Sequence, residues 1–360
     1  VIDSAIVSRV ELICRNRFNR APARFLLACL LAKIDNPAVD IRKPYTEIGG
    51  LDSYSGRTYD ETYIGPFVAH YDLPCNATTA FLTPAFRNRN IVFTPDINLV
   101  GRPANLYEAV LQLLADVYEG RVSADDLLTE MMRGLLNVRQ ETRQRMRALL
   151  TALKSSGEGV PLSSEAMVTL IEQHLKSPRS SRLPVLAIAA AYKAASDYLH
   201  EKALPLRSHQ AADEQTGALG DVEITLTNDE KVVTSYEMKT RRVTKADIDL
   251  ALQKIAQSGQ QLDNYIFITT EIIEPEVKEY AATMYDQYGI EVVVLDCIGF
   301  IRHFLHLFHR LRTQFLDSYQ EFLLSEPDSA VSQPLKEAFL ALRQAAESGA
   351  AEGTPPENGS

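Results

Sequence analysis

Glu237 and Lys239 stand two residues apart in a β-rich stretch, Lys231 to Thr240. Alternation along a strand sends both side chains to one face, with Tyr236 and Met238 pointing the other way. Asp221 opens a second such stretch, Asp221 to Leu226, and the turn Thr227-Asn228-Asp229-Glu230 between the two signals a hairpin. The hairpin returns Asp221 to the neighbourhood of Glu237, so two carboxylates and one ammonium meet at a sheet end. Phosphodiester hydrolysis uses such a set. Asp221 and Glu237 would hold Mg2+, a hard cation that takes oxygen ligands and keeps several waters. The metal polarises the scissile phosphate and acidifies a water. Lys239 would orient or deprotonate that water and steady the developing negative charge. The backbone carbonyl of Met238 is the natural third metal ligand.

The acid-x-Lys spacing is not specific by itself, because the chain repeats it at Asp229-Glu230-Lys231 and Glu276-Val277-Lys278. The first repeat falls in the predicted turn. The second opens a predicted helix, where positions two apart do not share a face. Only Glu237-Met238-Lys239 has a strand, an upstream aspartate across a hairpin and an alternating continuation. That continuation starts with a helix from Thr244 through Gln257, which Thr244 and Asp247 would cap in the manner of a capping box. A buried-type strand, Tyr265 to Thr270, follows, then a helix, Glu276 to Tyr288, ended by Gly289. A second buried-type strand, Ile290 to Leu295, closes the run. The order hairpin, helix, strand, helix, strand predicts an α/β (α+β) fold, a mixed central sheet flanked by helices.

Gly220-Asp221-Val222, Glu237-Met238-Lys239 and the strand Ile290-Glu291-Val292-Val293-Val294 together resemble the PD-(D/E)xK nuclease superfamily, with Gly220 in place of the usual proline. More narrowly, the chain resembles the SacI-type family of type II restriction endonucleases in its length, its helical N-terminal part and its Gly-Asp-Val motif in the C-terminal half. The resemblance implies Mg2+-dependent cleavage of double-stranded DNA at a short specific sequence, a role in phage defence, and a cognate DNA methyltransferase that protects the host. A homodimer is expected, because two-fold protein symmetry matches a palindromic site. Two other readings stay open: a structure-specific repair or junction nuclease of the same superfamily, and a non-catalytic DNA-binding subunit of a defence complex.

The rest of the chain is read around that site. Helical texture covers 4 to 34, interrupted near Ala21-Pro22, and returns from Leu106 to Leu153, where Arg139, Arg143 and Arg147 share a face. Between them, Pro37 to Pro103 is dense in Gly, Pro, Asn, Thr and Tyr without a long period, the texture of a binding element. Arg reads guanine and Asn reads adenine in the major groove, so Arg57, Asn76, Arg87, Asn88, Arg89 and Asn90 are the candidates for base contact. Arg241, Arg242 and Lys245, just after the motif, are the candidates for phosphate contact. The best linker is Ser155 to Pro161. Residues 1–160 are thus read as a helix-rich domain with its recognition segment at 37–103, and 161–325 as the nuclease domain, with helices at Ser164 to Leu175, Pro184 to Lys202 and Ile298 to Leu324. The remainder, 326–360, is read as a largely flexible tail with one short helix, Leu335 to Glu347, and a disordered end.

Composition bounds the alternatives. The chain has 360 residues, 46% of them hydrophobic, enough to bury a real core in two domains. Its net charge of -10 argues mildly against nucleic-acid binding, although DNA requires local positive charge rather than a basic whole chain. Cys14, Cys29, Cys75 and Cys297 are scattered and form no CxxC pair, which fits a reducing cytoplasm rather than a disulfide or zinc framework. No apolar run is long enough for a membrane span, and the N-terminal stretch lacks the layout of a signal peptide. No phosphate-binding GxxxxGK loop or GxSxG elbow is present. His303, His306 and His309 recur every third residue of a helix, a spacing that spreads them around it and suits partly buried or interface positions better than a metal site.

Overall fold

The computed structural model describes residues 2–156, 161–206 and 218–352, and the chain divides into two compact units, 1–148 and 149–360. The division falls within a long helix, Ala124–Ser156, ahead of the predicted boundary at 160. Gly157 to Val160 of the predicted linker lie outside the described residues.

The first unit is built on α1 (Ser4–Arg15), α2 (Ala21–Asp35), α3 (Ala104–Tyr118) and most of α4 (Ala124–Ser156). Pro22 lies in the first turn of α2, where its missing N–H costs nothing. Helix α2 is apolar nearly all round, the pattern of a central helix, and Phe25 to Leu30 are all buried. The stretch 37–103 covers it. That stretch folds through short helical turns, such as Gly56–Tyr59, Gly65–His70 and Ala80–Leu82. It contributes Phe81, Phe86 and Phe93 to a ring cluster around Phe25, with Phe86 stacked at 4.0 Å between centroids. The buried Arg24 ties the same stretch down. Its Nε donates to Asp60 Oδ1 at 2.6 Å, and its guanidinium also donates to the carbonyls of Asn76 and Ala77, each at 2.7 Å. From α4, Arg139 donates to the Tyr71 carbonyl and Arg143 pairs with Asp72 at 3.0 Å.

The second unit contains a five-stranded mixed sheet in the order β1 (Glu201–Ala203), β2 (Val222–Leu226), β3 (Val232–Lys239), β4 (Asn264–Thr269), β5 (Glu291–Asp296). The first three strands are antiparallel neighbours, and β3, β4 and β5 run parallel. Helices α5 (Ser164–Leu175) and α6 (Leu183–Leu199) precede the sheet. The predicted helix through Lys202 ends earlier. His200 takes a left-handed conformation (φ 55°), and the next three residues form the short edge strand β1, which the alanine-rich run had hidden.

Helices α7 (Lys245–Ser258) and α8 (Pro275–Tyr288) pack on one sheet face, over Tyr265, Phe267, Val292 and Val294. On the other face, Tyr236 meets Tyr192 of α6 and Phe300 of α9 (Cys297–Leu307). A sheet covered on both faces needs strands apolar on both sides. The sequence Asn-Tyr-Ile-Phe-Ile-Thr of β4 meets that need, with Tyr265 to Thr269 all buried. The capping box is present: Asp247 Oδ2 accepts from the Thr244 N–H at 2.9 Å, and Thr244 Oγ1 accepts from the Asp247 N–H at 3.4 Å.

The chain ends in α10 (Arg312–Ser325) and α11 (Gln333–Glu352). The tail expected to be largely flexible from 326 is therefore mostly helical, and Phe339 and Leu340 are fully buried. Residues 353–360 lie outside the described part. The buried imidazole of His174 holds α11 in place: Nδ1 lies 2.9 Å from the Tyr319 hydroxyl and Nε2 3.0 Å from the Leu335 carbonyl. A carbonyl can only accept, so Nε2 carries the proton and Nδ1 accepts from Tyr319.

Burial lowers the His174 pKa from 6.5 to about 4, so the ring is neutral when folded and takes up a proton on unfolding. Unfolding thus gains protons as pH falls from 6.5 toward 4, and stability drops by about 2 to 3 kcal/mol across that window. Thermal unfolding at stepped pH measures this. His174→Gln is expected to be less stable at neutral pH but to lose that part of the pH dependence.

Candidate active site beside the β2–β3 hairpin

Asp221 lies one residue before β2, in the turn that enters the strand. Its N–H donates to the Tyr236 carbonyl at 2.7 Å, and its Oδ2 accepts from the Met238 N–H at 2.7 Å. The hairpin therefore brings the Asp221 carboxylate onto β3, against the residue between Glu237 and Lys239. A strand residue turns its N–H and C=O toward the same neighbour, and the backbone of Met238 faces Asp221. The Met238 carbonyl is thus on the Asp221 side as well. Glu237 Oε1 accepts from Lys239 Nζ at 2.7 Å, and both side chains are mostly buried, 13% and 21% exposed.

Parallel pairing of β3 with β4 sets Ser235 beside Tyr265, Glu237 beside Phe267 and Lys239 beside Thr269. The Glu237 face is thus the one that α7 and α8 cover, and Val222, Ile224 and Tyr236 belong to the opposite face. The predicted parity of Glu237 and Lys239 holds. Neither acid-x-Lys repeat forms an equivalent group. Asp229 caps the hairpin turn, its Oδ1 accepting from the Lys231 N–H at 3.0 Å. Glu276 and Lys278 open α8.

Two carboxylates and a backbone carbonyl on neighbouring stretches of β3 and the turn before β2 are the kind of oxygen donors a hard divalent cation takes. Among the described residues no three His, Cys, Asp or Glu side chains gather as a ready metal cage. His303, His306 and His309 are exposed rather than partly buried, and His306 Nε2 lies 2.8 Å from Glu165 Oε1.

The structure adds two polar side chains to this face. Glu223, one alternation step from Asp221, is buried, and its Oε1 accepts from the Leu219 N–H at 3.0 Å. The hydroxyl of Tyr265 lies 2.9 Å from the Leu219 carbonyl and 3.3 Å from Glu237 Oε2. Strand parity could have found Glu223. Tyr265 becomes visible only with the β3–β4 register.

The predicted phosphate contacts each have an acidic partner. Arg241 pairs with both oxygens of Asp247, at 2.9 and 2.5 Å, Arg242 with Glu274 at 2.7 Å, and Lys245 with Glu276 at 3.8 Å. Burial pushes the Asp247 carboxyl up, but hydrogen bonds from Arg241 and Thr244 outweigh it and bring its pKa to about 2. In the first unit, Arg57 pairs with Glu61 at 2.7 Å, Arg89 with Glu47 at 3.5 Å, and Asn88 donates to the Ala85 carbonyl at 3.1 Å. Arg87 and Asn90 are exposed, and Asn76 is held through its backbone carbonyl by Arg24.

Gly220 has a steric reason. A Cβ there would lie 2.5 Å from both Ser235 Oγ and the Tyr236 carbonyl oxygen, one of them backbone. Gly220→Ala is expected to cost about 1 to 3 kcal/mol through overpacking, read as a lowered melting temperature. A variant as stable as the parent would show that the turn tolerates a wider approach.

Residues 159–270 match the family model described as the SacI restriction endonuclease C-terminal domain. No curated protein matches the chain. The matched stretch, about a third of the chain, contains Gly220, Asp221, Glu237 and Lys239, and it agrees with the narrower of the two resemblances, that to the SacI-type restriction endonucleases.

Proposed function

We propose that the protein is a type II restriction endonuclease that hydrolyses phosphodiester bonds of double-stranded DNA at a short specific sequence, with Mg2+ as cofactor. The observation that supports this reading is the Asp221 carboxylate on the N–H of Met238, the residue between Glu237 and Lys239, within a stretch that matches a restriction endonuclease domain. Asp221, Glu237 and the Met238 carbonyl would hold the cation. When bound, it supplies positive charge that polarises the scissile phosphate and acidifies the attacking water.

Lys239 does the remaining work near the scissile bond. Its ammonium, fixed against Glu237 at 2.7 Å, is a donor for the attacking water or for a phosphate oxygen as negative charge develops. Arg242 and Lys245 would hold flanking phosphates, because exposed ion pairs such as theirs with Glu274 and Glu276 are worth little and exchange readily. Arg241 gives up more, since Asp247 is buried and also caps α7. The exposed Arg57, Arg87, Arg89 and Asn90, together with Asn76 and Asn88, are the groups proposed to read bases. A homodimer on a palindromic site and a cognate methyltransferase belong to the same reading. No helix among the described residues is long and apolar enough to cross a membrane.

The test is digestion of a mapped plasmid with Mg2+, followed by sequencing of the ends. Discrete fragments sharing one end sequence are expected, and chelation should abolish them. Branch-dependent cutting would instead identify a structure-specific nuclease, and specific binding without cleavage in Mg2+ or Mn2+ a non-catalytic subunit. Asp221→Asn keeps an acceptor for the Met238 N–H, so the fold should survive while cleavage falls about a hundredfold or more, as it should in Lys239→Ala. Undiminished cleavage by either variant would remove the residue from the site.

A further inference from the structure

We propose that Glu223 and Tyr265 are positioning residues that lock the peptide entering Asp221 and join it to Glu237, so that both carboxylates are presented to a divalent cation as a preset pair. The inference rests on the reading of Asp221 and Glu237 as cation ligands and extends it to residues that touch neither cation nor DNA.

Leu219 lies two residues before Asp221 and outside the regular strand, yet both of its backbone polar groups are held by buried side chains. Glu223 of β2 accepts from its N–H at 3.0 Å, and Tyr265 of β4 donates to its carbonyl at 2.9 Å. Those side chains are 6% and 1% exposed. Burying a carboxylate and a phenol is unfavourable unless both are hydrogen-bonded, and an apolar pair would fill the same sheet face without that demand. The polar pair converges on a single peptide, and that peptide leads to Asp221.

The next two residues are fixed as well. Gly220 is pressed against Ser235 and Tyr236 so closely that no Cβ fits. Asp221 is held through its N–H by Tyr236 and through its carboxylate by Met238. The Tyr265 hydroxyl is also 3.3 Å from Glu237 Oε2, so one phenol touches the approach to the first carboxylate and the second carboxylate itself. Outer partners of this kind orient metal ligands, and their loss characteristically costs ten- to a hundredfold in metal affinity.

Tyr265→Phe removes one oxygen and both contacts. Glu223→Ala removes the acceptor for Leu219, whereas Glu223→Gln keeps one. Mn2+ binding by calorimetry on the full chain, without DNA, gives a readout independent of cleavage. Tyr265→Phe and Glu223→Ala should weaken it about tenfold or more, and raise the Mg2+ concentration for half-maximal cleavage by the same factor. Glu223→Gln should recover most of the loss. A role confined to folding would lower the melting temperature and leave the Mn2+ affinity of Tyr265→Phe at the parent value, which would overturn the inference. If Glu223→Ala fails to fold, Tyr265→Phe decides alone. A parent protein that neither binds Mn2+ nor cleaves DNA would overturn the proposed function, and this inference with it, a failure distinguishable because it appears without any substitution.

Discussion

The hydrogen bond from the Met238 N–H to the Asp221 carboxylate ties the turn before β2 to the end of β3 across the hairpin, and the candidate site is organised around it. It requires that the turn before β2 come close to β3. That approach requires a residue without a Cβ at 220, because Ser235 and the Tyr236 carbonyl already occupy the space. The approach in turn requires the hairpin register that sets Val222 opposite Tyr236. A one-residue slip would turn Glu237 and Lys239 to the face where Tyr236 meets Tyr192 and Phe300.

The sheet that carries the site is held from both sides. Helices α7 and α8 cover the Glu237 face through an apolar cluster that includes Tyr265, Phe267, Val292 and Val294. The polar site therefore borders a dry core, where charges are screened less than at an open surface. Such a border favours side chains whose directions are settled by packing and hydrogen bonds before any ligand arrives. The Thr244–Asp247 capping box fixes the start of α7 a few residues beyond Lys239, so the chain leaves the site along one path.

What could be read from the sequence was local chemistry. Parity placed Glu237 and Lys239 on one face. The Thr227 to Glu230 turn announced the hairpin, Thr244 and Asp247 announced the start of α7, and Gly289, left-handed at φ 70°, ends α8 as expected. Glu223 obeyed the same parity as Asp221 and was legible, though unread. Tyr265 was not, because its role depends on the parallel pairing of β3 with β4, and nothing in either strand alone specifies that register. The stretch 37–103 shows no period in the sequence because its aromatic residues come from separate turns, yet they pack on Phe25 as part of a core. The tail misled for a similar reason: its serines, alanines and glutamates give a mild composition, whereas Phe339 and Leu340 decide that it docks.

The ion pairs beside the site have a consequence for how a polyanion would meet it. Arg241, Arg242 and Lys245 each keep an intramolecular counterion, in Asp247, Glu274 and Glu276. A phosphate arriving there displaces a carboxylate of the same chain rather than an ion of the solution. The favourable entropy of releasing condensed ions then comes from the nucleic acid alone. These three cations contribute little long-range attraction in a chain of net charge -10. Contact with them rewards a polyanion already seated in the right place more than one passing by.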